Sequence, residues 1–280
     1  MLWGVVASSW VVHQSRYSSS LTPFDVGIRT WEPLRLLTED RVPIAGWLIR
    51  SPDPQGILVL LHGFGTAKAD LLDMAEAFHR AGRYHLILID FRAHGDSGGS
   101  VLSFGKQEVL DVKAVLSYAE SEPSLKGLPV GCYGISMGGA IGILAAARYP
   151  EIRFVVSDSA YADLGKAIAR ALRISYYIPR LLLGQTVIWM TQLRLGAAAT
   201  TLSPARAVSK VSPRPVMVIH GTCDRTTPSE DAQEIYSAAG EPKQLWLIQD
   251  AEHVCGFYRD REGYVRRVME FFSYGFLGKT

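Results

Sequence analysis

Residues 57–61 (ILVLL) form an unbroken apolar run too short to be a self-contained buried helix, and the chain repeats the device along its length. Stretches 86–89, 129–135, 154–156, 215–219 and 244–248 read as strands of the same kind. Such runs mark strands buried on both faces, as in a parallel sheet covered by helices. Between them the apolar residues fall three or four apart. Leu71, Met74 and Phe78 do so within 67–81, and Val109, Val112 and Leu116 within 107–120. That spacing predicts amphipathic helices. Further helices are expected over 138–148, 228–239 and 264–272, and an opening pair of strands over 31–37 and 43–50. The alternation predicts an α/β fold with a mostly parallel sheet and helices on both faces.

The rhythm breaks after Asp158. Residues 162–205 carry apolar and aromatic helical segments, among them Tyr176, Tyr177, Ile178, Leu181, Leu182, Leu183, Val187, Ile188, Trp189 and Met190, but no clear strand. A structureless loop of that length is unusual. The expected organisation is therefore a tail at 1–22, a core at 23–161 and 206–280, and a helical cap insertion at 162–205. At 280 residues the chain is long enough for one such domain with an insertion.

The start, MLWGVVASSWVV, is apolar but too short to cross a bilayer, and it lacks the basic opening of a secretory signal. It reads either as a loose tail, leaving a cytoplasmic protein, or as the stub of an anchor, giving a membrane-tethered or exported one. Twenty-nine Lys and Arg against 27 Asp and Glu leave a formal charge of +2, which gives no electrostatic footprint for nucleic acid. Cys132, Cys223 and Cys255 form no Cys-x-x-Cys pair, so no zinc site is indicated. No metal and no cofactor is expected.

Gly134-Ile-Ser-Met-Gly138 sits where a buried strand gives way to a helix of small residues. A serine in that strand–turn–helix context, flanked by glycines that leave room for a tight turn, has the setting of a nucleophile elbow. Ser136 is thus the expected nucleophile. A serine hydroxyl needs a base. His253 is the candidate, because it follows the last expected strand in a loop; the other six histidines have plain structural readings. The imidazole needs a carboxylate to orient it. Asp224, in the turn His220-Gly-Thr-Cys-Asp224 after a strand, is preferred to its rival Asp158 at the end of the preceding strand. The chain order is then Ser136, Asp224, His253. The oxyanion donors are expected to be the backbone N–H groups of Met137 and Phe64, the latter in the loop His62-Gly-Phe-Gly65. If the acid and base loops meet, a Cys223–Cys255 disulfide is geometrically feasible, but two unpaired thiols are the expectation.

Five landmarks in order carry a resemblance: His62-Gly-Phe-Gly65, Asp90-Phe-Arg-Ala-His-Gly-Asp-Ser97, Gly134-Ile-Ser-Met-Gly138, His220-Gly-Thr-Cys-Asp224 and His253. With them the chain resembles the α/β-hydrolase superfamily from about Leu21 onward, and within it single-domain bacterial esterases with a short helical cap. The resemblance implies an eight-stranded sheet and hydrolysis of carboxylic esters without a cofactor. Ala93 departs from the glycine usual at that turn position. The partner expected is a small-molecule ester with a short or medium acyl chain. A thioesterase, an amidase or an acyltransferase with the same triad is the alternative.

Overall fold

The computed structural model describes residues 16–176, 189, 190, 193 and 202–277. Met1 to Val12, to which a membrane tether is ascribed, lies outside the described residues, as does the apolar stretch from Tyr177 to Ile188. Among the described residues no helix is long and apolar enough to cross a membrane.

Eight strands form one sheet in the order β1-β2-β4-β3-β5-β6-β7-β8. They are β1 (Trp31–Leu37), β2 (Pro43–Ile49), β3 (Gly56–Leu61), β4 (Tyr84–Ile89), β5 (Val130–Ile135), β6 (Ile152–Asp158), β7 (Val216–Gly221) and β8 (Lys243–Ile248). β2 runs antiparallel to both neighbours, and the pairs from β4 through β8 are parallel. The helices are α1 (Leu72–Ala81), α2 (Glu108–Ser121), α3 (Met137–Arg148), α4 (Leu164–Tyr176), α5 (Pro204–Ala207), α6 (Ser229–Ala238), α7 (Gly256–Arg259) and α8 (Arg261–Leu277).

Strand β3 explains why the sheet is buried on both sides. Ile57, Val59 and Leu61 belong to one apolar cluster, with Val112 of α2 and Ile141 of α3. Leu58 and Leu60 belong to the other, with Phe78 of α1 and Phe272 of α8. These five residues of β3 are fully buried, as a strand covered on both faces requires.

The expected strands fall where the apolar runs lie. The helices differ at their ends. Residues 68–71 form a tight helical turn before α1, with Asp70 accepting the Ala67 N–H at 2.8 Å. α8 begins three residues earlier than the periodicity indicates, because Arg261 and Glu262 add a polar first turn. A short helix, α7, occupies part of the stretch after His253 that carries no sequence pattern.

The 162–205 segment leaves and rejoins the body at one place. The Ala162 carbonyl accepts the Ala205 N–H at 3.1 Å and the Ser203 hydroxyl at 2.9 Å. Residues 189, 190 and 193, inside the segment, are helical.

Strand order reverses around β3: β4 lies on one side of it and β5 on the other. A crevice outside the carboxyl ends of strands forms at such a point. The loop after β3 and the turn after β5 face each other there.

Candidate active site

Ser136 has φ 50° and ψ −119°, a conformation costing of the order of 1–3 kcal/mol for a residue with a side chain. Two glycines make the turn feasible. A Cβ on Gly134 would stand 2.3 Å from the Gly138 carbonyl oxygen, and one on Gly138 would stand 2.2 Å from that of Leu61. Both contacts are with backbone, which has nowhere to go. The Ser136 N–H donates to the Asp158 carbonyl at 2.7 Å, tying the elbow to the end of β6.

His253 reaches this serine from 117 residues further on, its Nε2 standing 3.0 Å from Ser136 Oγ. Its Nδ1 stands 2.6 Å from Asp224 Oδ2. A carboxylate beside Nδ1 places the ring proton there and leaves Nε2 as an acceptor. The Asp224 side chain is out of solvent, and 24% of the His253 side chain is accessible.

The carboxylate of Asp224 is well served with donors. Oδ1 accepts the N–H groups of Thr226 and Thr227, at 2.8 and 2.9 Å. Oδ2 lies 2.9 Å from the Thr227 hydroxyl, 3.3 Å from His220 Nε2 and 2.6 Å from His253 Nδ1. Burial opposes ionisation of Asp224, but the hydrogen bonds of both histidines and the backbone outweigh it and hold the carboxyl well below the usual carboxylate range. His220 is itself fully buried and donates Nε2–H to the Thr227 carbonyl at 2.7 Å. Burial favours its neutral form, yet the bonds to Asp224 and Thr227 raise its pKa above the ordinary value.

Asp158, the rival acid, is turned elsewhere. Its Oδ2 accepts the Tyr264 hydroxyl at 2.6 Å and its Oδ1 the Ser159 hydroxyl at 2.8 Å. Burial pushes its pKa up. Among the described residues no hydrogen bond joins it to His253.

The loop after β3 comes up beside the serine. A Cβ on Gly63 would lie 3.5 Å from Ser136 Cβ. His62 holds that loop: its Nδ1 donates to the Gly63 carbonyl at 2.7 Å, and its Nε2 accepts the Phe91 N–H at 3.0 Å. Only a neutral imidazole makes both bonds, and complete burial lowers the His62 pKa to about 3. Thr66 Oγ1 adds a bond to the same carbonyl at 3.0 Å, and the Gly65 N–H approaches His94 Nε2 at 3.4 Å. Phe64 is 42% exposed and stacks on Phe104, ring centroids 5.8 Å apart. Met137 opens α3, so its N–H is among the first-turn donors without an acceptor inside the helix.

The structure thus brings Ser136, His253 and Asp224 into one hydrogen-bonded line, with Met137 and the Phe64 loop at its serine end. Cys223 and Cys255 are unpaired thiols. Sequence reasoning did not single out Thr227, Ser159 or Lys68. For Thr227 a signal exists: Asp224-Arg-Thr-Thr-Pro228 ahead of a helix reads as a side-chain-capped turn. Among the described residues no group of three or more His, Cys, Asp or Glu is placed to hold a metal ion.

This sheet order, with a strained serine between β5 and α3, defines a hydrolase of the α/β class. The chain belongs to the alpha/beta hydrolase family, whose sequence model matches residues 58–267. It is similar to the Pyrococcus furiosus esterase Pf2001, with a TM-score of 0.79 and 26% identity, covering 94% of this chain and 97% of that one. It is 27% identical over 230 residues to YqkD of Bacillus subtilis, covering 81% of this chain and 74% of the relative. It is 25% identical over 292 residues to the polyketide transferase ATR5 of Stachybotrys chlorohalonatus, covering 88% of this chain and 98% of the relative. Family membership and the esterase likeness support a hydrolase activity.

Proposed function

We propose that the protein is a serine esterase that cleaves carboxylic esters through an acyl-enzyme. The observation carrying this reading is the continuous line Ser136 Oγ, His253 Nε2, His253 Nδ1, Asp224 Oδ2, with contacts of 3.0 and 2.6 Å. Ser136 Oγ attacks the ester carbon while His253 Nε2 takes its proton. The carbonyl oxygen becomes an oxyanion, for which the Met137 and Phe64 N–H groups are the donors. The tetrahedral intermediate collapses, the alkoxide leaves, and His253 returns the proton to it. Water then repeats the sequence on the acyl-enzyme: His253 takes its proton, and Ser136 leaves as the hydroxyl.

The apolar and aromatic composition of residues 162–205, with the exposed Phe64 ring on the loop beside Ser136, supports short or medium acyl chains. A panel of p-nitrophenyl esters from acetate to octanoate, with Ser136→Ala as control, tests this. Turnover of the panel by the wild type alone is expected. Inertness of the whole panel beside turnover of a charged ester would sink the reading.

The likeness to a polyketide transferase supports a second reading, in which an alcohol, amine or thiol replaces water at the acyl-enzyme. Competition among these acceptors, read from the products, separates the two. A thioesterase or amidase would share the same first step.

A further inference from the structure

Ser159 follows β6 in the left-handed region, at φ 57°, and is 1% exposed. Each of its polar groups is engaged. Its N–H donates to the Ile219 carbonyl at 2.9 Å, and its carbonyl accepts the Thr227 hydroxyl at 2.9 Å. Its own hydroxyl donates to Asp158 Oδ1 at 2.8 Å and accepts the Val254 N–H at 3.2 Å. The preceding residue, Asp158, accepts the Ser136 N–H at 2.7 Å. Residues 158 and 159 therefore bond to the serine turn, the Asp224 turn and the His253 loop together.

Val254 adds a second observation. It follows His253 directly and has φ 59°, a region that β-branched residues avoid. Such a conformation persists only where the surroundings over-determine it. The bond from the Val254 N–H to Ser159 Oγ supplies that constraint at the residue next to the base. Thr227 supplies the matching link on the acid side, since its hydroxyl lies 2.9 Å from Asp224 Oδ2 and 3.1 Å from His253 Nδ1.

We propose that Ser159 is a positioning residue that sets His253 and Asp224 in line with Ser136 by holding the Val254 N–H and Thr227. It touches none of the reacting atoms. The proposal rests on the serine-hydrolase reading above. A misplaced base costs rate, not substrate binding. If Ser159 only satisfied the buried Asp158 carboxyl, its loss would lower stability and leave the rate of the folded protein unchanged.

The experiment compares wild type, Ser159→Ala and Ser159→Gly as full chains. Glycine adopts this φ without strain, so the second variant keeps the turn even where alanine does not fold. Four quantities are read: the rate of Ser136 labelling by a fluorophosphonate, kcat and KM on the p-nitrophenyl ester, and the thermal midpoint. The expected result is a fall of about 10- to 100-fold in labelling rate and kcat, with KM within about twofold of wild type. A folded variant that labels and turns over at the wild-type rate overturns the positioning role alone. A wild type that does not label overturns the serine-hydrolase reading and the proposal with it.

Discussion

Lys68 Nζ stands 2.6 Å from Asp90 Oδ2, with 6% of the lysine side chain and none of the aspartate reaching solvent. The same ammonium lies 2.8 Å from Asp96 Oδ2 and 4.6 Å from the centre of the Trp47 ring. Asp90 follows β4, and Lys68 follows the loop that carries Phe64. The pair therefore staples that loop to the sheet. Removing one partner of a buried pair strands the other charge. Lys68→Met is expected to destabilise the fold by about 3–5 kcal/mol, read from urea unfolding.

Ser136→Ala should lower turnover by a factor of the order of a million. The thermal midpoint should not fall, because among the described residues the hydroxyl makes no hydrogen bond beyond its contact with His253. A residual rate only tenfold lower would mean that another group attacks the substrate.

Asp224→Asn keeps the shape of the acid but offers an amide where a carboxylate held the imidazole tautomer. A fall of about 10⁴-fold in kcat is expected, by analogy with the same change in serine proteases. The corresponding change at Asp158 should act through the Tyr264 hydroxyl bond, lowering stability far more than it lowers kcat. Equal losses of kcat from both variants would count against Asp224 as the acid.

Gly138→Ala would press a methyl carbon to 2.2 Å from the Leu61 carbonyl oxygen and 2.6 Å from that of His62. The serine turn must then move away from the β3 loop, separating nucleophile and oxyanion donors. Fluorophosphonate labelling should slow by about 100-fold or more, as for a misplacement near 1 Å. Far-UV circular dichroism checks that the fold is retained.

Asp40 pairs with Arg92 at 2.6 Å, and the guanidinium hydrogen bond lowers its pKa to about 2. A carboxyl whose pKa is depressed in the folded protein stabilises it above the unfolded value, near 3.8. That contribution fades as pH falls from about 4 through about 2. Asp40→Asn should therefore be less stable than wild type at pH 7, and the gap should close towards pH 2 in chemical denaturation. A gap that stayed constant across this range would remove the ion pair as its cause.

The central strands were legible because runs such as Ile57 to Leu61 and Leu86 to Ile89 are continuously apolar, as burial on both faces requires. Ser136 was legible because its turn requires glycines at fixed offsets. His253 and Asp224 were legible from chain position, each after a strand. Ser159, Lys68 and Thr227 were not, for a common reason. Beyond the capped turn that holds Thr227, what matters about these polar residues is a partner far along the chain: Val254 for Ser159, Asp90 for Lys68, His253 for Thr227. Ala93 falls between these cases. It stands where the resemblance implies glycine, and the structure puts it at φ 62°, so the turn keeps the conformation that favours glycine.

The Ala162 carbonyl, receiving both Ser203 and Ala205, makes the intervening segment a loop tied off at its neck. Closing a tied loop costs little more when it lengthens, about 0.6 kcal/mol for each doubling. None of Ser136, Asp224 and His253 lies within it. Selection can therefore rewrite this segment, in length or composition, without reopening the geometry that joins Ser136, His253 and Asp224. In this scaffold the tied-off segment is free to drift while the hydrogen-bonded line stays the same.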